Sequence, residues 1–438
     1  MYQDRYYPRV LIIHLTKAKA DDACNLLIRT QFGEWPKERL VQIHSTAEPY
    51  GEGEFCSRYY KISKRDRRYG GIFDKLRGRV NKNLLNQNNA KDFDVKKINI
   101  LNDLFIKLKN NIANILINSG IWEAVFSVKL SDEMCEFVEE FNPEIIFCHG
   151  STISFATISL LISRKYNIPI CIQNVDDWAY GRYVKSPVRW LLRKRAKELI
   201  DGSAVRLVFG EKMKREFEDR YGVKFNVTYH LDDIKRFEDN YIEENKQIKI
   251  IYTGSLELKR HEALYDLLLA SRKLDEYKGR IRIEIYTSNM PVDIKKELIE
   301  ASEVKFYPLP KHNELPSVLS KGKILFLPES FNQDRKLIEY SISTKAHLYM
   351  MSKKCIVVYG PKYSGTVSYA ENDGWALVVK KRNIEMLKEI LSEAIAGGER
   401  VEKIINNSLK VVSKNHEIGC GKERFYKIIT SYNKVGKY

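Results

Sequence analysis

Apolar residues in this chain gather into runs of strand length at 10–15, 145–148, 170–173, 206–209, 248–252, 282–286, 323–327, 355–359 and 376–379. Between them lie stretches with helical spacing, for example 157–165 before "YNIPI" and 261–274 after "YTGSLELKR". Short buried runs alternating with helices predict an α/β architecture built on largely parallel sheets. No internal repeat at solenoid spacing interrupts that reading.

Two polar stretches break the rhythm. Residues 51–97, with "RDRRYGG" and "NLLNQNNAKDFD", read as an insertion in the first half. The acidic stretch "YHLDDIKRFEDNYIEENKQ" precedes a new βα series at "IKIIYTGS", which places a domain boundary within 227–249. The expected organisation is a Rossmann-like domain over 1–235, a second over 236–415, and a final helix at 416–438, for which the family resemblance given below implies a return to the first domain. Parallel sheets take ligands beyond the C-terminal ends of their strands, so two facing sheets would hold one in the cleft between them.

Composition narrows the class. The chain has 438 residues, enough for two domains, and its 44% hydrophobic and 11% aromatic content excludes a disordered polymer. No apolar run approaches 18 residues, and "MYQDRYYPRVLIIHL" lacks the form of a secretory signal, so a cytoplasmic, soluble or peripheral protein is expected. Seven scattered cysteines, in contexts such as "IFCHG" and "KCIVV", fit reduced core positions. A formal net charge of +17 favours an anionic partner: phosphorylated metabolite, lipid surface or nucleic acid.

Candidate chemistry sits at strand ends. In "IIYTGSLELKRHEAL", Gly254 and Ser255 form a tight turn that lets backbone approach a ligand, and Lys259 and Arg260 could neutralise a diphosphate. The same segment also reads as an ordinary βα turn with solvated cations. In "SISTKAHLYMMSKKCIVVYGP", Ser343 is expected to cap a helix over 344–352, so that Ser343, Thr344 and Lys345 offer hydroxyls, N–H groups and a cation. His149 in "IIFCHGS" suits a general base or a structural hydrogen-bonder, and Asp176 in "VDDWAYGRY" suits an acceptor-orienting carboxylate or a cap.

Two basic segments extend the list. In "KSPVRWLLRKRAKEL", Ser186 and Pro187 open a helix whose Trp190, Arg193, Lys194 and Lys197 share a face fit for an anionic membrane or simply for water. Residues 58–82 carry ten Lys/Arg against Asp66 and Asp74, with Tyr59, Tyr60, Tyr69 and Phe73 interleaved. A DxD pair at 92–94 lies in an Asn/Lys-rich loop without a preceding strand and is read as incidental, so no metal is expected.

These segments together resemble GT-B glycosyltransferases, most nearly those akin to glycosyltransferase family 4. "IIYTGSLELKRHEALYDLL", "VKFYPLPKHNELPSVLSKGKILFLPES" and "STKAHLYMMSKKCIVVYGP" follow the order of that family's donor-binding half, and "FNPEIIFCHGS", "YNIPICIQNVDDW" and "VFGEKMKREFEDRYGVKFNVTYHLDD" resemble its acceptor half. The "QFGEWPKERLVQIHS" stretch is similar to bacterial polysaccharide enzymes. The resemblance spans most of 140–380 and implies a nucleoside-diphosphate-sugar donor, a glycan or lipid-linked acceptor, retention at the anomeric carbon and no cofactor. It places Lys259 at the family's cationic position, Ser343, Thr344 and Lys345 near the phosphates, and His149 and Asp176 on the acceptor side. The chain departs from the pattern in having Leu348 and Tyr340 where relatives carry paired glutamates, and "TKAKADDACN" in place of a Gly-rich loop. Those departures also motivate a non-catalytic GT-B protein that binds a sugar nucleotide or partner enzyme; charge alone leaves a nucleic-acid-binding protein as a third reading.

Overall fold

The computed structural model describes residues 5–14, 23–45, 55–68, 119–181, 186–238, 247–332 and 335–432. The "DFD" pair, most of the 51–97 insertion and residues 16–22 lie outside them. Seven strands, β1 (Val10–Ile13), β2 (Leu40–His44), β3 (Arg58–Lys61), β4 (Ile145–Cys148), β5 (Ile170–Asn174), β6 (Val205–Phe209) and β7 (Asn226–Thr228), form one sheet in the order β3-β2-β1-β4-β5-β6-β7. Six more, β8 (Ile248–Thr253), β9 (Ile281–Thr287), β10 (Val304–Pro308), β11 (Ile324–Pro328), β12 (Cys355–Tyr359) and β13 (Leu377–Val379), form a second in the order β10-β9-β8-β11-β12-β13. Both sheets are parallel, as the alternating pattern predicts.

Burial explains why the strands read as unbroken apolar runs. Every position of β4, β5, β11 and β12 is buried, because helices cover both faces of a parallel sheet. Ile250, Tyr252, Phe326, Val357 and Tyr359 pack with Leu264 and Leu267 of the helix Arg260–Arg272 on one face of the second sheet. The alternate residues Ile251, Leu325, Leu327, Ile356 and Val358 pack with Tyr349, Trp375 and Val412 on the other. Each such aliphatic side chain contributes about 1.5–3 kcal/mol of transfer free energy.

The chain divides into two compact units, residues 1–17, 35–206 and 430–438 in one and 18–34 and 207–429 in the other. Within the second, the helix Ile418–Ile429 packs on the helices Ala23–Gln31 and Glu399–Asn415, with Phe425 edge-on to Phe32 at 5.0 Å.

Three local expectations are corrected. The helix expected over 344–352 is Ala346–Met351, with Lys345 at its N-cap; Ser343 is no cap, because its N–H is held 2.9 Å from Thr366 Oγ1 while its hydroxyl accepts from the Lys345 N–H. Ser186 likewise accepts from the Val188 N–H in a turn, and the helix starts at Arg189. All six cysteines with described side chains are free, but Cys135 is half-buried and Cys420 exposed rather than core.

Candidate functional site

The second sheet reverses its winding between β8 and β11, since β9 and β10 extend it to one side and β12 and β13 to the other. That reversal leaves a crevice beyond the C-terminal strand ends. A cavity of about 610 Å³ opens there, entirely within the second unit. Thr253 at the end of β8, Gly254 and Ser255 just after it, Leu309 to Lys311 after β10, and the 341–345 segment line it, with Arg260 and Leu348.

Backbone geometry fixes its floor. The Thr253 N–H donates to Tyr349 Oη at 2.9 Å and the Gly254 N–H to the Tyr286 carbonyl at 2.8 Å. Gly254 has φ +135, and a Cβ there would lie 3.0 Å from Cδ and Nζ of Lys345. The conformation demands glycine, and a Cβ would also press on the flexible Lys345 side chain. We expect Gly254→Ala to destabilise the protein by about 1–3 kcal/mol and displace Lys345; an unchanged urea midpoint would contradict this.

The electrostatic centre is one carboxylate between two cations. Glu329, directly after β11 and buried, accepts from Thr366 Oγ1 at 2.6 Å and lies 3.5 Å from Arg260 Nη2. The Thr366 oxygen also accepts the Ser343 N–H, so hydroxyl, carboxylate and guanidinium form one chain. Burial depresses the Arg260 guanidinium, but the charge and hydrogen bond of Glu329, with Tyr252 and Glu257, together outweigh it and leave the group raised. Arg260 Nε is buried without a hydrogen-bond partner. Lys345 is half-buried on the cavity lining, with Nζ 5.6 Å from the Tyr252 ring centroid. Burial, then Arg260, push its ammonium down to about 7, with Glu329 only partly opposing them.

The structure thus brings Gly254, Ser255, Arg260, Ser343, Thr344 and Lys345 to one cavity. Lys259 is not on its lining: it is exposed, with Nζ 3.9 Å from Glu262 Oε1, and both it and Leu258 adopt φ +56 ahead of the helix Arg260–Arg272. That left-handed entry turns Arg260 inward and Lys259 outward.

A second wall is histidine-rich. His230 stacks on His347 and His347 on His416, with ring centroids 5.7 and 5.6 Å apart. His416 Nδ1 lies 2.7 Å from the His230 carbonyl and its Nε2 2.9 Å from Tyr369 Oη. Beside the stack, Asp232 lies 2.6 Å from Arg236 and 3.0 Å from His312; burial raises its carboxyl, but these partners bring it down to about 2. His230, His312 and His347 line the cavity.

His149 and Asp176 belong to the first unit. His149, at the end of β4, is buried, with Nε2 2.9 Å from Gln173 Oε1 and its ring edge-on to His14 at 4.7 Å. Asp176 follows β5 and is exposed; its carbonyl accepts the Trp178 N–H. Of the basic helix, Trp190 is 62% exposed and Lys194 is exposed, whereas Arg193 stacks over Tyr180 at 4.2 Å and Lys197 bonds Asp201 at 2.7 Å. In the described part of 58–82, Arg58 pairs with Glu140 and Arg65 with Glu133, which lowers the free positive charge. No described helix is long and apolar enough to cross a membrane, and no described cluster of three His, Cys, Asp or Glu could hold a metal.

Sequence reasoning missed Glu329, Thr366 and the histidines. Glu329 stands at a strand end in "LFLPES", the same signal that selects Gly254; Thr366 has no local signal.

Two parallel sheets of this topology, with the crevice at the switch point, define the GT-B fold. Solved structures agree: Anabaena HepE in complex with UDP-glucose (TM-score 0.62, 10% identity, 97% of this chain and 100% of that one) and sucrose-phosphate synthase from Thermosynechococcus elongatus (0.62, 10%, 98% and 99%) share it. A UDP-forming α,α-trehalose-phosphate synthase from Burkholderia vietnamiensis does so at TM-score 0.61 and 12% identity, over 97% and 100% of the two chains. No family model matches the chain, and no curated protein matches it.

Proposed function

We propose that this protein is a glycosyltransferase that moves a sugar from a nucleoside-diphosphate sugar to a glycan or lipid-linked acceptor. The observation that carries the reading is the pair of cations, Arg260 and Lys345, converging on a cavity at the switch point of the second sheet. The fold likeness to HepE, solved with UDP-glucose, supports a uridine donor.

In this reading the bond from the anomeric carbon to the diphosphate oxygen breaks, a bond to the acceptor hydroxyl oxygen forms, and the hydroxyl proton passes to the departing diphosphate. Negative charge grows on the leaving diphosphate, where Arg260 and protonated Lys345 offset it most. Gly254 lets backbone approach the phosphates, and the hydroxyls of Ser255, Ser343 and Thr344 supply neutral donors. His149 and Asp176 are assigned to the acceptor, Lys259 to an outer electrostatic contribution, and exposed Trp190 with Lys194 to a membrane or lipid-linked substrate.

The test is release of nucleoside diphosphate from UDP-, GDP- and ADP-sugars in the presence of glycan and lipid-phosphate acceptors. Lys345→Met is expected to lower turnover by about 10²–10³-fold. Leu348 on the cavity lining favours a second reading, a binder without turnover. Nucleotide binding with no transfer to any acceptor would select it.

A further inference from the structure

The first sheet ends in a row of polar side chains. Ile43, Ile13, Cys148 and Ile172 pair in register across β2, β1, β4 and β5, and the next residue in each is His44, His14, His149 and Gln173. Neighbours in a parallel ladder point to the same face, so these four side chains stand side by side. Two contacts join the row: the His14 and His149 rings meet edge-on at 4.7 Å, and His149 Nε2 lies 2.9 Å from Gln173 Oε1. All four are buried, and His14 Nδ1 has no hydrogen-bond partner. Two residues earlier the same face is apolar at Ile12, Phe147 and Cys171, with Gln42 the exception. The sheet order reverses between β1 and β4, so the row sits at this sheet's own switch point, beyond which parallel sheets take ligands.

The chemistry of the row selects its ligand. Imidazole and carboxamide groups both donate and accept, as a sugar hydroxyl does, and none of the four carries a fixed charge. A phosphate brings about −1.5 to −2 charges and calls for a cation. The second sheet's switch point has such cations in Arg260 and Lys345. In the first sheet the next residue in register is Lys61, paired with His44, which is exposed and two strands, about 10 Å, from His14. The first charged residues after β5 are the carboxylates Asp176 and Asp177. Burial, then His149 and His44, hold the His14 imidazole well below its usual range, in keeping with a neutral row. We propose that His44, His14, His149 and Gln173 recognise the hydroxyls of an uncharged sugar, so that the acceptor end is a neutral glycan rather than a phosphate-bearing group. The inference rests on the transferase reading above and makes His14 a specificity-determining residue.

The experiment is saturation-transfer NMR on the full chain with UDP, GDP and ADP, and with the methyl glycosides of glucose, galactose, mannose and N-acetylglucosamine, each beside its 6-phosphate. The expected result is contact with at least one neutral glycoside, bound more tightly than its 6-phosphate. His14→Phe keeps a ring and removes both nitrogens; it is expected to weaken that glycoside about fivefold, the scale of one neutral hydrogen bond, and to leave nucleotide binding unchanged. His14→Gln keeps a donor and an acceptor and is expected to recover most of the loss. A tighter 6-phosphate, contact with no neutral glycoside, or equal glycoside binding by wild type and His14→Phe would overturn the inference, and a nucleoside diphosphate bound in the same samples would leave the donor site standing. Loss in His14→Gln as large as in His14→Phe would mark a merely structural histidine and overturn it as well. Selective glycoside binding without binding of any of the three nucleotides would instead reject the donor reading alone.

Discussion

Glu329→Ala should cost about 3 kcal/mol of stability, the lower end of what losing one partner of a buried ion pair costs, because the Arg260 contact is long at 3.5 Å. The variant leaves Arg260 and Lys345 near each other with no intervening charge and deprives Thr366 of its acceptor. The same change should leave UDP affinity intact or improve it, since it removes a carboxylate that competes with phosphate for Arg260. Saturating UDP, at about 100 times its dissociation constant, would restore about 2.7 kcal/mol. Urea denaturation with and without UDP separates the two effects. A stable variant, or one that loses stability and UDP binding together, would contradict the arrangement.

Acid should destabilise the second unit well before its carboxylates protonate. His416 is buried and held down to about 4, first by burial and also by Arg424; its contact with the His230 carbonyl acts in the opposite direction. His347 is likewise held well below the usual imidazole range by burial and by the rings on either side. A folded pKa below the unfolded value means that the unfolded chain binds more protons between about 4 and 6.5, so stability falls as pH falls through that window. At pH 5, His416 alone accounts for about 2 kcal/mol, against a usual total of 5–15. Asp232 contributes only lower down, its stabilisation disappearing as pH falls from 3.8 towards 2. His347→Phe keeps a ring in the stack and removes one titration, so its urea midpoint should change less between pH 7 and pH 5 than the wild type's. An equal or steeper change would show that the stack is not the acid-sensitive element.

The fold was legible because β4, β11 and β12 are buried on both faces and announce themselves as unbroken apolar runs. Gly254 was legible because a glycine at a strand end has few other uses. The order of Lys259 and Arg260 was not, since their roles depend on two residues at φ +56 that rotate one side chain inward and its neighbour outward. Ser343 looked like a cap because helix starts are chosen by local pattern, whereas its N–H is claimed by Thr366, 23 residues away. The histidine stack joins residues 230, 347 and 416, contacts of a range that no local pattern encodes.

The most direct measurement is a thermal-shift titration of wild type, Lys345→Met and Lys259→Met with UDP, GDP, ADP and CMP. The account predicts selective stabilisation by one nucleoside diphosphate, weakened at least about tenfold in apparent affinity by Lys345→Met and much less by Lys259→Met, a difference of about 1.4 kcal/mol. Wild-type protein indifferent to all four nucleotides, or Lys345→Met responding as wild type does, would contradict a diphosphate site built on Arg260 and Lys345.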